Sequence, residues 1–273
     1  MDTTIEKIMH FLKGEMTTPN LYGWFHILSI AIVVITCLLI FTFRRRISQK
    51  AVNNTILITG IVVIVFEIYK QLMFSFHYVG GGNSYWDYQW YAFPFQFCST
   101  PMYLMLLAGI IRKGRVHNNL LCYLATFAVF AGLCVMIYPG DVFMSYIGIN
   151  IQTMICHGSM IVIGCLIFAT KSIEINLKSI LKALEVFAIV CTIALGANII
   201  WHYCGNSETF NMFFISPYYD CTLPLLNMIY PKVHYTLFLL IYIIGFTLAA
   251  TMIMLIAMLF NYITGQIAKK NAN

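Results

Sequence analysis

Seven long apolar stretches constrain the fold of this chain more than any other feature. A helix that crosses a bilayer needs about 20 predominantly apolar residues. Seven stretches reach that length: 21–43, 54–76, 92–111, 118–138, 148–170, 180–203 and 233–263. Hydrophobic residues make up 60% of the chain and charged residues only 10%, which leaves too little polar surface for a soluble domain of this size. We therefore predict an all-α, polytopic membrane bundle of seven transmembrane helices.

The basic residues predict the orientation of this bundle. Twelve of the 16 Lys and Arg residues fall on one predicted side, namely Arg44, Arg45, Arg46, Lys50, Arg112, Lys113, Arg115, Lys171, Lys178, Lys182, Lys269 and Lys270. Lys7, Lys13 and Lys232 fall on the other side, and Lys70 lies within a span. Cytoplasmic loops carry the excess of Lys and Arg, so we expect the N-terminus outside and the C-terminus in the cytoplasm. The basic excess behind the net charge of +6 therefore orients the protein rather than recognising a polyanion, and we expect no nucleic-acid partner.

We predict three parts of the chain: an outer interfacial segment over residues 1–20, the transmembrane domain over residues 21–263 and a cytoplasmic tail over residues 264–273. The first part has apolar residues at helical spacing between charges, at Ile5, Ile8, Met9, Leu12 and Met16. This pattern favours a short helix on the outer membrane surface; a frayed tail is the alternative. We expect no cleavable signal peptide, because the first apolar stretch is too long and no basic region precedes it.

Polar side chains inside the predicted spans converge on the outer halves. A rise of about 1.5 Å per residue gives the depth of each side chain below the outer end of its helix. These depths are roughly 14 Å for Glu67, 13 Å for His157, 9 Å for Cys98 and Lys70, and 8 Å for Asn198. Such residues are costly in hydrocarbon and usually face a bundle interior. We therefore predict a polar cavity that opens outward rather than a continuous path across the membrane.

Each of these residues also has a structural interpretation. Glu67 and Lys70 are three residues apart on one helix face and can form a structural ion pair. Asn198 can hold neighbouring helices by hydrogen bonds. His157 precedes Gly158 and can serve helix packing, and His26 near the outer end of the first span fits an interfacial polar residue better than a catalyst.

Cys98 is a candidate nucleophile because of its position. If the third helix starts near Pro94, Cys98 lies about one turn inside it, where unpaired N–H groups favour the thiolate form. His157 has the depth of a neighbouring base. Cys204 and Cys221 both fall in the last outer loop, where an oxidising compartment permits a disulfide.

Several short motifs resemble those of the YwaF-like family of integral membrane proteins. They are "LYGWFHILSI", "FPFQFCSTPMYL", "GINIQTMICHGSMIV", "GANIIWHYCG" and "MIYPKVHY". That family includes animal transmembrane acyltransferases that remodel ether phospholipids. By motif, the resemblance implies that Cys98 and His157 are the catalytic pair. The chain departs from the family pattern at Phe95, where a small aliphatic residue is usual, and at Ile199, which replaces the tyrosine of an Asn-Tyr pair.

The resulting hypothesis is a membrane-embedded lipid acyltransferase with an acyl-cysteine intermediate. A phospholipid would donate the chain and a lysophospholipid would accept it. Gln96, Asn198 or the backbone amides of the first helical turn would stabilise the oxyanion, and Lys70, oriented by Glu67, would bind a lipid phosphate. We expect no metal or other cofactor. We expect the protein to lie in a bacterial cytoplasmic membrane, with its site toward the outer leaflet. A transporter or small-molecule receptor with an outer polar cavity is the alternative, and a structural protein with an inert Cys98 is a third option.

Overall fold

A computed structural model describes residues 2–140, 142–205 and 208–270 of the chain. Its α-helices within these residues are α1 Thr4–Lys13, α2 Trp24–Phe43, α3 Gln49–Ser75, α4 Thr100–Ile111, α5 Gly114–Ala125, α6 Phe127–Ile137, α7 Ile147–Ala169, α8 Lys178–Tyr203, α9 Leu226–Ile229 and α10 Tyr235–Lys270. The two strands, β1 Phe76–His77 and β2 Tyr85–Trp86, form an antiparallel hairpin. The all-helical fold class is thereby confirmed.

In the described part of the chain, six helical segments are long and apolar enough to cross a membrane: Trp24–Arg46, Gln49–Ser75, Gly114–Ile137, Ile147–Ala169, Lys178–Tyr203 and Tyr235–Thr264. The prediction of a full helix over 92–111 is wrong. That stretch contains α4, which has 12 residues and is therefore about 18 Å long, preceded by irregular backbone. A helix of this length does not span a hydrocarbon core of about 30 Å. The predicted count of seven spans is therefore not confirmed, and the orientation of the termini stays a prediction. That orientation would place the loop containing Ser207 on the outer side, and Ser207 lies outside the described residues.

The predicted fourth span is broken in the middle of the bundle. Thr126, between α5 and α6, has φ −124° and ψ −77°, and its hydroxyl donates to the Cys122 carbonyl at 2.7 Å. The residues on both sides of the break, including Tyr123 and Phe127, are fully buried. This central helix pair is therefore the core around which α4, α7 and α8 pack.

The predicted N-terminal helix is confirmed as α1, which docks on one end of the bundle, hereafter the α1 end. Thr3 and Glu6 form a capping box, and the Tyr69 hydroxyl of α3 donates to the Leu12 carbonyl at 2.8 Å. Glu6 is buried and accepts from the Ser84 hydroxyl and from the N–H groups of Gly82 and Ser84. α1 therefore fastens the β1–β2 hairpin to the bundle.

Candidate functional site

Cys98 lies in a turn just before α4, not one turn inside a helix. α4 begins at Thr100, and the N–H groups of Ser99 and Thr100 both donate to the Gln96 carbonyl, at 3.0 and 2.9 Å. Pro101 rather than Pro94 occupies the first turn of the helix. The N–H of Cys98 donates to no backbone carbonyl or side-chain oxygen among the described residues, and it lies beside its own sulfur. The turn thus leaves the N–H of Cys98 unpaired next to the thiol.

His157 has a fixed tautomer and one unpaired nitrogen. Its Nδ1 lies 2.7 Å from the Thr153 carbonyl, which can only accept, so Nδ1 carries the proton. Nε2 is buried and has no hydrogen-bond partner within the described part of the chain. A buried nitrogen with an unused lone pair is uncommon in native structures. This arrangement leaves the neutral imidazole able to accept a proton at Nε2.

Cys98 and His157 belong to neighbouring elements but do not hydrogen-bond to each other. The residue before His157, Cys156, places its thiol 4.0 Å from the Cys98 carbonyl. The direct contact of the catalytic pair suggested by motif therefore remains a proposal.

Glu67 and Lys70 form the predicted ion pair, with Lys70 Nζ 2.6 Å from Glu67 Oε1. The carboxylate is buried and also accepts from the amides of Gln71, at 2.8 Å, and Gln152, at 3.3 Å. Gln71 donates further to the Ala92 carbonyl at 2.8 Å. The pair therefore connects α3 to α7 and to the irregular backbone that leads to Cys98.

A cavity of about 500 Å³ lies beside this carboxylate. Its walls come from α3, from the segment after β1 and from the start of α4, through Ile64, Glu67, Ile68, Gln71, Leu72, Ser75, Trp86, Tyr88, Pro94, Met102 and Tyr103. Ile68, Leu72 and Trp86 are exposed on its outer side. The sequence analysis did not identify Tyr88, Tyr103 or Gln71, although Gln71 stands four residues after Glu67, the spacing of a helical contact.

Gln96 and Asn198 hold the loop between α8 and α9. The Asn198 amide donates to the Met212 carbonyl at 3.0 Å and accepts from the Met212 N–H at 2.7 Å. The Gln96 amide donates to the Asn211 carbonyl at 3.0 Å and accepts from the Phe213 N–H at 2.9 Å. Both amides are therefore occupied, and stabilising an oxyanion would require either of them to release the loop.

The loop held by these amides has an unusual backbone. Phe213 and Phe214 have φ values of 58° and 55°, a left-handed conformation that bulky residues rarely adopt. Phe213 is fully buried and packs on Phe95 and Phe97, which flank Gln96. The loop therefore covers the segment that carries Cys98.

His26 is a buried connector rather than an interfacial residue. Its Nδ1 accepts from the Tyr22 N–H at 3.0 Å, and its Nε2 donates to the Met136 carbonyl at 2.9 Å. The ring is completely buried, and the Met136 carbonyl belongs to the last turn of α6, where helices leave carbonyls unpaired. Both ring nitrogens are used, so His26 joins α2 to α6.

Cys204 and Cys221 are both free thiols in the structure. Cys204 is exposed after α8, whereas Cys221 is buried in the hydrophobic core. The disulfide considered from sequence is thus not formed. No group of three or more metal-ligating side chains occurs among the described residues.

Comparison with known proteins gives one match. Residues 21–258, which include Cys98, His157 and every wall of the cavity, match the TMEM164 family. No curated protein and no solved structure matches the chain.

Proposed function

The chain belongs to the TMEM164 family of transmembrane proteins, and from that premise we propose that it transfers acyl chains between membrane lipids. The observation that carries the proposal is His157 Nε2 on the helix that packs against the Cys98 turn: it is a buried base with no hydrogen-bond partner among the described residues. A nucleophile with a nearby base is what covalent acyl transfer needs. Both substrates are lipids, so they reach the site from within the bilayer.

The first half-reaction forms a thioester and releases a lysolipid. The Cys98 thiol gives its proton to His157 Nε2, and the sulfur attacks the carbonyl carbon of a phospholipid ester. The tetrahedral intermediate carries its negative charge on the former carbonyl oxygen, and the N–H of Cys98, which donates to no acceptor among the described residues, would stabilise that charge. Collapse breaks the carbon–oxygen ester bond, and the leaving alkoxide takes the proton back from His157.

The second half-reaction transfers the chain to a new lipid. The hydroxyl of an acceptor lysophospholipid gives its proton to His157 Nε2 as its oxygen attacks the thioester carbon. Collapse breaks the carbon–sulfur bond, and the Cys98 thiolate recovers the proton. Because Cys98 and His157 do not hydrogen-bond in the structure, this mechanism requires the turn or the imidazole to move when substrate binds, as catalytic contacts often tighten only in the complex.

The test is transfer of a labelled acyl chain from phospholipid to lysolipid by the purified protein. Cys98→Ser should fold normally and lose transfer by orders of magnitude, because an alcohol is a weaker nucleophile than a thiol. His157→Ala should be similarly inactive, and the double variant hardly worse than either single variant, as expected for residues acting as one unit.

Cys134→Ser is the matched control, since Cys134 is exposed on α6 and should not affect transfer. Label that stays on the protein and is released by hydroxylamine would identify the thioester. A folded Cys98→Ser protein with normal transfer would refute the nucleophile assignment.

A small-molecule receptor or transporter is the second candidate, and the cavity favours it. A volume of about 500 Å³ lies within the range of ligand pockets. Saturable lipid binding without transfer by the unmodified protein would support this alternative instead.

A further inference from the structure

The end of the bundle opposite α1 collects turns and helix ends that carry basic residues. Leu57 of α3 lies directly against Gly109 of α4, so the start of α3 and the end of α4 both lie there. Ser172, after α7, donates to the Gln49 side chain at 3.1 Å, which adds the connection between α7 and α8. We call this the basic end, because it contains Arg44, Arg45, Arg46, Lys50, Arg112, Lys113, Arg115, Lys171, Lys178 and Lys182.

The basic residues between α2 and α3 have no carboxylate partner. We call them the α2–α3 corner, which comprises Arg44–Arg46 and Lys50. The ion pairs of the basic end lie elsewhere, between Arg115 and Glu185 and between Lys182 and Glu174. No salt bridge in the described part of the chain includes a residue of the corner. Its charges are therefore available to a ligand.

The α2–α3 corner lies at the boundary of the hydrocarbon. α2 has 20 residues and is therefore about 30 Å long, which matches the thickness of a hydrocarbon core. The three arginines directly follow its last residue, Phe43. Their charges therefore lie in the layer of lipid headgroups.

Two aromatic rings orient part of this corner. The Arg44 guanidinium lies over the Phe41 ring, 3.9 Å from its centroid, and donates to the Phe41 carbonyl. The Arg46 guanidinium lies 5.9 Å from the centroid of the Phe43 ring. A ring occupies one face of a guanidinium and leaves N–H groups at its edge for an acceptor. Arg45 and Arg46 are both exposed, so these groups can be reached from the membrane.

We propose that the α2–α3 corner binds the headgroups of anionic phospholipids. A guanidinium in the headgroup layer meets lipid phosphates, and its planar fork pairs with two phosphate oxygens. An anionic headgroup keeps the full charge of its phosphate, whereas phosphatidylcholine also carries a cation that the corner repels. Phe43, exposed beside the arginines, meets the acyl chains of the same lipids. This binding does not depend on acyl transfer.

The test is a lipid titration of the purified full-length protein in detergent, with bound lipids counted by native mass spectrometry. The two probes are phosphatidylglycerol and phosphatidylcholine with identical acyl chains. The unmodified protein should bind phosphatidylglycerol more tightly. A variant with both Arg45→Gln and Arg46→Gln should lose about 25-fold of that affinity, because each basic residue at an anionic headgroup contributes about fivefold. Its affinity for phosphatidylcholine should not change.

Arg115→Gln is the matched control, because it also removes a positive charge from the basic end, but one that Glu185 already pairs. It should keep the phosphatidylglycerol affinity of the unmodified protein. A further variant with Arg45→Lys and Arg46→Lys retains both charges, and with them the signal for membrane orientation. It should still bind phosphatidylglycerol severalfold more weakly, because an ammonium group cannot form the planar pair.

Two results would overturn the proposal. Equal affinities of the unmodified protein for the two lipids would exclude recognition of anionic headgroups and would favour a soluble acidic partner at the basic end. An equal loss of phosphatidylglycerol affinity in Arg115→Gln and in the glutamine double variant would show that overall charge, rather than the α2–α3 corner, determines binding.

Discussion

Replacing Asn198 by alanine should release the loop around Met212. Asn198 is buried, and its amide satisfies both backbone groups of Met212, which is itself fully buried. An unsatisfied buried polar group costs about 1–3 kcal/mol, so losing both partners should destabilise the closed loop by at least about 2 kcal/mol. That is about a thirtyfold increase in the open fraction.

Cys221 reports on this opening. It is buried, and the preceding residue, Asp220, accepts a hydrogen bond from the Asn211 amide at 3.1 Å, which ties it to the same loop. Alkylation of Cys221, followed by peptide mass analysis, should be about thirtyfold faster in Asn198→Ala. The control is Thr192→Ala, because Thr192 is exposed on the same helix and bonds only its own turn. Equal alkylation rates in the two variants would refute the view that Asn198 holds the loop.

Three further outcomes follow from features of the α1 end and of the loop after α8. An Asn83→Cys variant should react with a membrane-impermeant reagent in intact cells, and reaction only after permeabilisation would reverse the predicted orientation. Cys204 should be alkylated rapidly without reduction in the folded protein, and Cys221 more slowly, through opening of the loop; protection of both until reduction would reveal a disulfide. The hydrogen bond from the Ser84 hydroxyl is the main cause that lowers the pKa of Glu6 from 4.5 to about 2. The ionised Glu6 carboxylate therefore stabilises the hairpin fully above pH 4.5, and this stabilisation is lost as the pH falls toward 2. Hydrogen-exchange protection of the Ser84 amide should follow that range, and a pH-independent protection would contradict the role of the carboxylate.

The features that sequence analysis predicted well depend on local patterns. α1 follows from apolar spacing and a capping box within four residues. The Glu67–Lys70 pair follows from an i, i+3 spacing. The long apolar helices follow from hydrophobicity alone, because a bilayer requires that every backbone group be satisfied within the helix.

The features that it missed depend on contacts between distant residues. The stretch before Cys98 is as apolar as a membrane-spanning helix. Apolar composition predicts that a segment is buried, but it does not predict that the segment is helical. In this stretch, the Gln96 amide forms hydrogen bonds with backbone groups of Asn211 and Phe213, which are 115 and 117 residues away. No local sequence pattern predicts these partners. The break at Thr126 likewise lies inside a continuous apolar stretch. Threonine is also found in many unbroken helices, because its hydroxyl can bond a carbonyl of the preceding turn.

The candidate site shows the same division. Cys98, His157 and Glu67 could be selected because polar groups are rare in apolar stretches. Tyr88 and Tyr103 could not, since tyrosines are common near membrane interfaces and only the tertiary arrangement places these two beside Glu67.

The fastening of the hairpin by α1 has a consequence for biosynthesis. Glu6 and Ser84 are separated by 78 positions, and both α2 and α3 lie between them. A chain made from its N-terminus therefore exposes the carboxylate long before its partner is synthesised, and the bond can close only after this helix pair has inserted with both ends on the same side. We therefore expect closure of the Glu6–Ser84 bond to follow the paired insertion of α2 and α3, and to fail in a chain in which only one of these two helices has inserted.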